Sequence, residues 1–154
     1  MSEHTAKVTW ERRGARFVDN RYSRVHAWSF DGGLEVRASS SPHVVRPPLS
    51  DPAAVDPEEG FVAALSSCHM LWFLSIAAER GFVVDAYEDD AVGTMRRLED
   101  GRQALGRIVL RPRIVFGGEK PCSDEELAAL HEEAHHQCFL ANAVSAELVV
   151  EPRP

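Results

Sequence analysis

The sequence predicts an α+β fold in which antiparallel sheets pack with two central helices, in the order βββ-α-ββ-α-β. Two segments indicate the helices: an apolar run from Phe61 to Ala78, and residues 127–138, whose apolar positions recur at helical spacing. Short alternating segments bounded by turn-forming residues indicate the strands. With 154 residues, of which 44% are hydrophobic, the chain is expected to form a single domain over residues 1–154.

The N-terminal third is predicted to form three strands and an extended loop. The strand segments are "AKVTWER", "RVHAWSF" and "LEVRASS", and the last two flank Asp31-Gly32-Gly33, a strong hairpin turn signal. The loop "SPHVVRPPLSDPAAVDP" is rich in proline, which fixes φ and removes a backbone donor. A helix or a central strand is therefore excluded there.

The first helix is predicted to begin at Asp56, with Pro57 in its first position and acidic residues in its first turn, and to stop at Gly81. The run is long enough to raise the question of a membrane span. Serines, a cysteine and a histidine interrupt it, so we expect a buried central helix and no membrane partner. One short chain can hardly cover such a helix, which indicates a second subunit.

The second half is predicted to contain a hairpin, a helix and a closing strand. "AYEDDAVGTM" and "QALGRIVLRPRIVF" flank the turn "LEDGR", and Pro112 marks an edge or a bulge. Ser123 and Glu126 have the spacing of a capping box, and the helix they open is expected to end near Asn142. "SAELVVEP" reads as the last strand.

Charge and cysteine usage restrict the function classes. The formal net charge is −7, and an acidic surface repels phosphate backbones, so nucleic acid is excluded as an expected partner. The polar start "MSEHTAKVTW" carries no secretory signal pattern. Three cysteines in such a chain indicate a reducing, cytoplasmic location, where disulfides are more often transient than structural.

Cys68 and Cys138 are the principal candidates for chemistry. Cys68 lies in the apolar helix, and Cys138 is predicted on the inward face of the second one. Either alone could be a small buried hydrophobe. Together they could run an oxidation cycle, in which one thiol forms a sulfenic acid and the other resolves it as a disulfide. Cys122, in a polar loop after Pro121, is expected to be exposed and incidental.

Two other interpretations remain open from the residues alone. His131, His135 and Cys138 fall at i, i+4 and i+7, and Cys68 or His69 could complete a tetrahedral zinc site. Alternatively, the two histidines of the second helix line a polar pocket while His136 faces water. A third possibility is a binding domain with inert thiols.

A buried thiol reacts poorly unless a neighbouring cation favours its thiolate. The N-terminal region supplies several arginines. Arg24, just before the strand "VHAWSF", is the one expected to point inward, and Arg21 is the alternative.

The segment "DPEEGFVAALSSCHMLWFLSIAAERGFVVDAYEDDAVGTM" resembles the first cysteine segment of the OsmC/Ohr family, and "HEEAHHQCFLANAVSAELVVEP" resembles the second. The resemblance extends from "YSRVHAWSFDGGLEVRASSSP" to the last strand. It implies an intertwined homodimer and a thiol peroxidase that reduces organic hydroperoxides without a cofactor or a metal. Cys68 matches the peroxidatic cysteine and Cys138 the resolving one, with an external dithiol, a lipoyl protein or a thioredoxin-like protein, as reductant.

The same resemblance assigns the surrounding residues. Glu58 matches the glutamate that holds an arginine near the thiolate, and Arg24 is the best match for that arginine. Apart from the resemblance, His69, His135 and Trp72 are expected to contact substrate. Ten residues of straight helix separate Glu58 from Cys68 by roughly 15 Å. The helix must therefore bend near Gly60, or the two must meet across a subunit interface.

Overall fold

A computed structural model describes every residue from Met1 to Pro154. The chain divides into two compact units, residues 1–60 and residues 61–154. The long first helix begins in the first unit and continues into the second.

The first unit contains a three-stranded antiparallel sheet. Its strands are β1 (Ala6–Thr9), β2 (His26–Phe30) and β3 (Glu35–Ala38), with β2 in the middle. The turn between β2 and β3 places Gly33 at φ +84°, a conformation that glycine adopts without the steric cost of a Cβ. The Phe30 N–H donates to the Leu34 carbonyl over 3.0 Å, closing the hairpin. The three predicted strands and their turn are confirmed.

Helix α1 (Pro57–Glu79) begins with a reciprocal cap. The Asp56 carboxylate accepts the Glu59 N–H over 2.8 Å, and the Glu59 carboxylate accepts the Asp56 N–H over 3.1 Å. Two donors that a helix start leaves unpaired are thereby satisfied. After the helix, Gly81 takes φ +79°, the left-handed conformation of a common helix terminator. Both predicted ends of the helix are confirmed.

Only one stripe of α1 is buried. The buried residues, Leu65, His69, Phe73, Ile76 and Ala77, follow one another at helical spacing. Leu71, on another side, is 61% exposed. By length and composition α1 is the one helix that could cross a membrane, and 28% of its most apolar stretch is buried. One chain therefore leaves much of this apolar helix exposed. The shortness of the chain predicted this incomplete burial.

The second unit contains two small sheets. Strands β4 (Val83–Asp89) and β7 (Pro112–Gly117) pair antiparallel. Strand β5 (Val92–Arg97) pairs antiparallel with β6 (Gln103–Leu110), and β8 (Glu147–Val150) pairs with the other edge of β6 in parallel. The predicted α+β order is confirmed, with each arm of the second hairpin divided into two strands.

The division of the second hairpin has a visible cause. The Asp89 carboxylate accepts the Arg111 N–H over 2.6 Å and the Ser66 hydroxyl over 2.5 Å, where β4 ends. Pro112, which follows Arg111, has no backbone N–H to donate to a neighbouring strand. Hydrogen bonds to a carboxylate therefore replace sheet pairing at this corner, and β6 and β7 join different sheets.

Helix α2 (Asp124–Gln137) begins with the predicted capping box. The Ser123 hydroxyl accepts the Glu126 N–H over 3.2 Å, and the Glu126 carboxylate accepts the Ser123 N–H over 2.9 Å. Its predicted end near Asn142 is wrong. The helix stops at Gln137, because the Asn142 side chain donates to the His136 carbonyl over 2.9 Å and a short 3-10 turn (Ala141–Ala143) follows.

Candidate functional site

The structure brings Cys68 and Cys138 together inside the second unit. Cys138 belongs to a fully buried apolar cluster with Leu65, Ile108 and Leu110, and Cys68 packs against that cluster half-buried. Both thiols are free, and the Cys68 thiol lies close enough to Cys138 to affect its pKa. The two predicted thiols therefore lie beside the same apolar cluster.

The two cysteines are held by different kinds of structure. Cys68 lies one turn after the buried Leu65 in α1, so it shares that residue's side of the helix. The sequence predicts Cys138 on the inward face of α2. In the structure it is instead the residue that caps the C-terminus of α2, with ψ at 110°. Its sulfur accepts the Ala141 N–H over 3.4 Å, which fixes the thiol as the chain leaves the helix.

Burial controls the protonation of Cys138. Desolvation is the largest cause that raises its pKa, to about 11, and the neighbouring Cys68 thiol acts in the same direction. Cys138 is therefore a neutral thiol near pH 7. A neutral thiol is a poor first nucleophile, which suits Cys138 to the second step of an oxidation cycle.

A histidine pair lies on the same two helices. His69 Nε2 and His131 Nδ1 are 3.0 Å apart, and the two rings stack at an interplanar angle of 10°. His69 is 0% exposed and His131 is 4% exposed. The Phe73 ring covers His131, with the ring centroids 4.5 Å apart. The two imidazoles are thus sealed among apolar groups.

Desolvation keeps this histidine pair neutral. Desolvation is the largest cause that lowers the pKa of His69, and it alone lowers the pKa of His131. Each pKa falls to about 4. The outer nitrogens, His69 Nδ1 and His131 Nε2, have no hydrogen-bond partner. The pair therefore carries two unsatisfied polar atoms in the interior.

The geometry disfavours the zinc interpretation. No group of three histidine, cysteine, aspartate or glutamate side chains is placed to hold a metal ion. His131 turns its Nδ1 toward His69 instead of joining Cys138. His135 is half-buried and lines a surface cleft with His131, while His136 is exposed, as the alternative interpretation predicted.

Cys122 differs from its prediction. It is half-buried and packs against the apolar cluster that contains Phe73, Phe82 and Leu130. Burial raises the pKa of its thiol, and the neighbouring Glu126 carboxylate adds to the effect. Because the residues around Cys122 are polar, the sequence did not indicate that this loop packs against the core before α2 begins.

The proposed arginine and its carboxylate lie in the first unit. The Arg24 guanidinium donates to the Asn20 side-chain oxygen over 2.8 Å and lies 3.8 Å from the centre of the Tyr22 ring. Arg21 is exposed, and Glu58 is half-buried in the first turn of α1. The helix is uninterrupted at Gly60. The assignment of these residues to the thiolate stays a prediction.

The predicted substrate contacts lie in different surroundings within the second unit. Trp72 packs against both apolar clusters of the second unit, and its ring meets Phe139 edge-on with the centroids 5.5 Å apart. His69 is sealed in the interior, so any role for it is indirect within one chain. The pairing of His69 with His131 was not predicted, although the sequence places both on apolar helix faces.

Comparisons with known proteins match this fold. A family model described as OsmC-like protein matches residues 50–153. An OsmC-like protein of unknown function from Vibrio cholerae is 52% identical, with a TM-score of 0.96, and the match covers 99% of this chain and 100% of that one. The sequence matches none of the curated proteins with which it was compared.

More distant structures share the fold. An organic hydroperoxide resistance protein from Elizabethkingia anophelis has a TM-score of 0.71 at 19% identity, over 99% of this chain and 94% of that one. The organic hydroperoxide resistance protein OhrB of Bacillus subtilis has a TM-score of 0.69 at 22% identity, over 97% and 98%. At these identities the likeness is one of architecture.

Proposed function

The chain belongs to the OsmC/Ohr family, and from that premise we propose that it is a cysteine peroxidase that reduces organic hydroperoxides to alcohols. Some members of the family are organic hydroperoxide resistance proteins. The observation that carries the proposal is the contact between the Cys68 and Cys138 thiols in an apolar cluster. The proposal places the enzyme in the cytoplasm.

The proposed cycle assigns a different step to each thiol. The Cys68 thiolate attacks the terminal oxygen of the hydroperoxide and the O–O bond breaks, so that Cys68 becomes a sulfenic acid while the leaving oxygen takes a proton from water and departs as the alcohol. Cys138 then attacks that sulfur, forming the disulfide and releasing water. A dithiol, either a lipoyl protein or a thioredoxin-like protein, returns two electrons. The high pKa of Cys138 supports this order, because it keeps the second thiol protonated until the first has reacted.

The surroundings of the thiols support an organic substrate. The lining is apolar, with Leu65, Trp72 and Leu148 in or against the cluster of Cys138. An alkyl group gains about 0.8 kcal/mol for each CH₂ that it buries against such a surface. Hydrogen peroxide gains nothing from it. Trp72, His69 and His135 are the residues we propose to shape the substrate's surroundings.

An intertwined homodimer is part of the proposal. The exposed apolar face of α1, on which Leu71 is 61% exposed, is the surface that a second copy would cover. Glu58 and Cys68 lie on one continuous helix, too far apart to share an arginine within one chain. A dimer would allow Glu58 of one subunit to lie near Cys68 of the other. We propose that Glu58 holds Arg24 beside the Cys68 thiolate of the other subunit, across the subunit interface.

Thiol counting after peroxide titration tests the proposal. Purified protein is titrated with cumene hydroperoxide and, separately, with hydrogen peroxide, and free thiols are counted. Loss of two thiols per equivalent of cumene hydroperoxide, with hydrogen peroxide far less efficient, is expected. In Cys68→Ser no thiol should be lost. Full reactivity in Cys68→Ser would overturn the mechanism.

The competing function is a binding domain with inert thiols. It predicts slow labelling of both cysteines and no consumption of peroxide. Cys122→Ser is the matched control, since it removes a half-buried thiol outside the pair. This variant should react like the parent protein under the proposed function.

A further inference from the structure

A single carboxylate joins α1 to the end of β6. Asp89, the last residue of β4, is half-buried. One of its oxygens accepts the Ser66 hydroxyl over 2.5 Å, and the other accepts the Arg111 N–H over 2.6 Å. Ser66 lies in α1, and Arg111 directly follows β6. Because both hydrogen bonds end on a carboxylate, they belong to the stronger class of hydrogen bonds.

Both partners of this carboxylate lie beside the apolar cluster of the two thiols. Ser66 follows the buried Leu65, and Arg111 follows the buried Leu110. The two leucines are members of the cluster that contains one cysteine and packs against the other. Ser66 is also two residues before Cys68, a helix rise of about 3 Å. The carboxylate therefore fixes the approach of α1 to β6 next to the thiols.

The corner that carries Asp89 is itself held by Arg153, near the C-terminus. The Arg153 guanidinium bonds the Asp90 carboxylate over 2.6 Å and the Glu88 carboxylate over 3.1 Å, so it binds both neighbours of Asp89. Its Nε also donates to the Arg111 carbonyl over 2.7 Å. The two sides of the corner are thus joined twice, although the ion pairs are the weaker link because Glu88 and Asp90 are exposed.

Disulfide formation is the reaction that depends most on this spacing. A disulfide holds its two sulfurs about 2.0 Å apart and accepts only a narrow range of Cα separations, roughly 4.4–6.8 Å. We propose that Asp89 is a positioning residue for this reaction, holding Cys68 within bridging distance of Cys138, and that Arg153 holds Asp89 in place. The inference rests on the proposed function for the source of the sulfenic acid, but the same disulfide also forms by thiol–disulfide exchange.

A positioning role predicts a split between the two oxidation steps. Attack of the Cys68 thiolate on a hydroperoxide requires no approach to Cys138, so it should keep its rate when Asp89 loses a partner. Disulfide formation should slow about tenfold, since a displacement of about 1 Å can change a rate by up to a hundredfold. Stopped-flow consumption of cumene hydroperoxide reports the first step. Trapping of the sulfenic acid with dimedone reports how long it persists before the second.

Two adjacent serines of α1 provide the matched variants. Ser66→Ala removes the hydroxyl that binds Asp89, whereas Ser67→Ala removes a hydroxyl that donates to the Ala64 carbonyl of its own helix over 3.1 Å. Alanine is the better helix former, so both variants should retain α1. Only Ser66→Ala should prolong the sulfenic acid.

The equilibrium with glutathione measures the same effect without peroxide. In the Cys122→Ser background, protein is equilibrated with oxidised and reduced glutathione, and each Cys68–Cys138 disulfide that forms releases two molecules of reduced glutathione. The equilibrium constant should fall about tenfold in Ser66→Ala and stay unchanged in Ser67→Ala. An equal constant in the two serine variants would overturn the inference.

Variants of the carboxylate and of its support extend the test. Asp89→Asn leaves one acceptor oxygen in place of two, so it should lower the glutathione equilibrium constant about as much as Ser66→Ala. Combining the two changes should lower it little further, because both remove the same hydrogen bond. Arg153→Gln should have a smaller effect, about threefold. Arg97→Gln, at an exposed arginine of β5, should have none.

A variant that destabilises the chain elsewhere separates positioning from stability. Ser123→Ala removes a helix cap outside this corner. A merely structural role for Asp89 predicts that disulfide formation falls in Ser123→Ala as it does in Asp89→Asn, once the loss of unfolding free energy is matched with denaturant. A positioning role predicts that it falls only in Asp89→Asn.

These outcomes are distinct from the outcome for the proposed function. A protein that consumes no hydroperoxide but shows the tenfold fall with glutathione would overturn the peroxidase and retain the role of Asp89. A protein that reduces cumene hydroperoxide and forms its disulfide equally well in every variant would overturn the role of Asp89 and retain the peroxidase.

Discussion

Helices α1 and α2 bring together two buried pairs of opposite chemistry. Cys68 and His69 are adjacent in α1, while His131 and Cys138 lie near the middle and at the C-terminal cap of α2. Burial raises the pKa of Cys138 and lowers the pKa of both histidines. An acid and a base respond in opposite directions, and the result in each case is a neutral group.

The two pairs differ in how well their polar atoms are satisfied. The Cys138 sulfur has both Cys68 and the Ala141 N–H beside it. The histidine pair satisfies only its inner nitrogens. The comparison teaches that the thiol pair is complete for chemistry between its own members, whereas the histidine pair leaves its two outer nitrogens unpaired in the interior.

The largest expected effect concerns the division of labour within the thiol pair. Cys138→Ser should permit one oxidation of Cys68 by cumene hydroperoxide but reduce repeated turnover with a dithiol by at least a hundredfold, because no disulfide can form. Stopped-flow consumption of peroxide separates the first turnover from later ones. Unimpaired steady-state turnover in Cys138→Ser, with Cys122→Ser as control, would show that the thiol contact is structural.

Acid should destabilise the fold through the histidine pair. Each ring has a folded pKa of about 4 against an ordinary value near 6.5, so its contribution is present above pH 6.5 and is lost as pH falls toward 4. Each histidine then lowers the free energy of unfolding by up to about 1.4 kcal/mol per pH unit in that window. Urea denaturation at several pH values measures the slope.

The matched variant for that slope is His69→Leu with His131→Leu, which replaces both partners by apolar groups. The double variant should show a shallower acid slope, and His43→Gln, at an exposed histidine of the first unit, should leave it unchanged. An identical slope in the double variant would mean that carboxylates alone govern acid unfolding.

An alkaline titration tests the other pair. Cys138 should form thiolate near pH 11, well above the ordinary cysteine value, as followed by thiolate absorbance in Cys122→Ser. Adding Cys68→Ala removes the neighbouring thiol that raises the pKa of Cys138, so the midpoint should fall. It should not reach the ordinary value, because desolvation is the larger cause. A midpoint that rises instead would contradict the described contact.

Local signals predicted most of the fold, and tertiary contacts account for what was missed. The Asp56 cap and the turn at Gly33 follow from the residue and its neighbours, so the sequence was sufficient. The contact of His69 with His131 joins positions 62 residues apart, and helical spacing cannot say which faces meet. No glycine or proline marks the end of α2 at Gln137, and nothing local sets the parallel pairing of β8.

The smallest expected effect comes from the start of α2, the helix that carries one member of the histidine pair and ends at one member of the thiol pair. Ser123→Ala removes the side-chain acceptor of the capping box and should lower the free energy of unfolding by about 1 kcal/mol, whereas Ser145→Ala, at an exposed position, should change it little. Denaturant unfolding measures the stability, and labelling of Cys138 together with histidine ¹⁵N shifts reports on each pair. Because the cap lies far along α2 from Cys138, both readouts should change only as much as the global stability does. Faster labelling of Cys138 at unchanged stability would show that the thiol pair opens locally, independently of the histidine pair on the same helices.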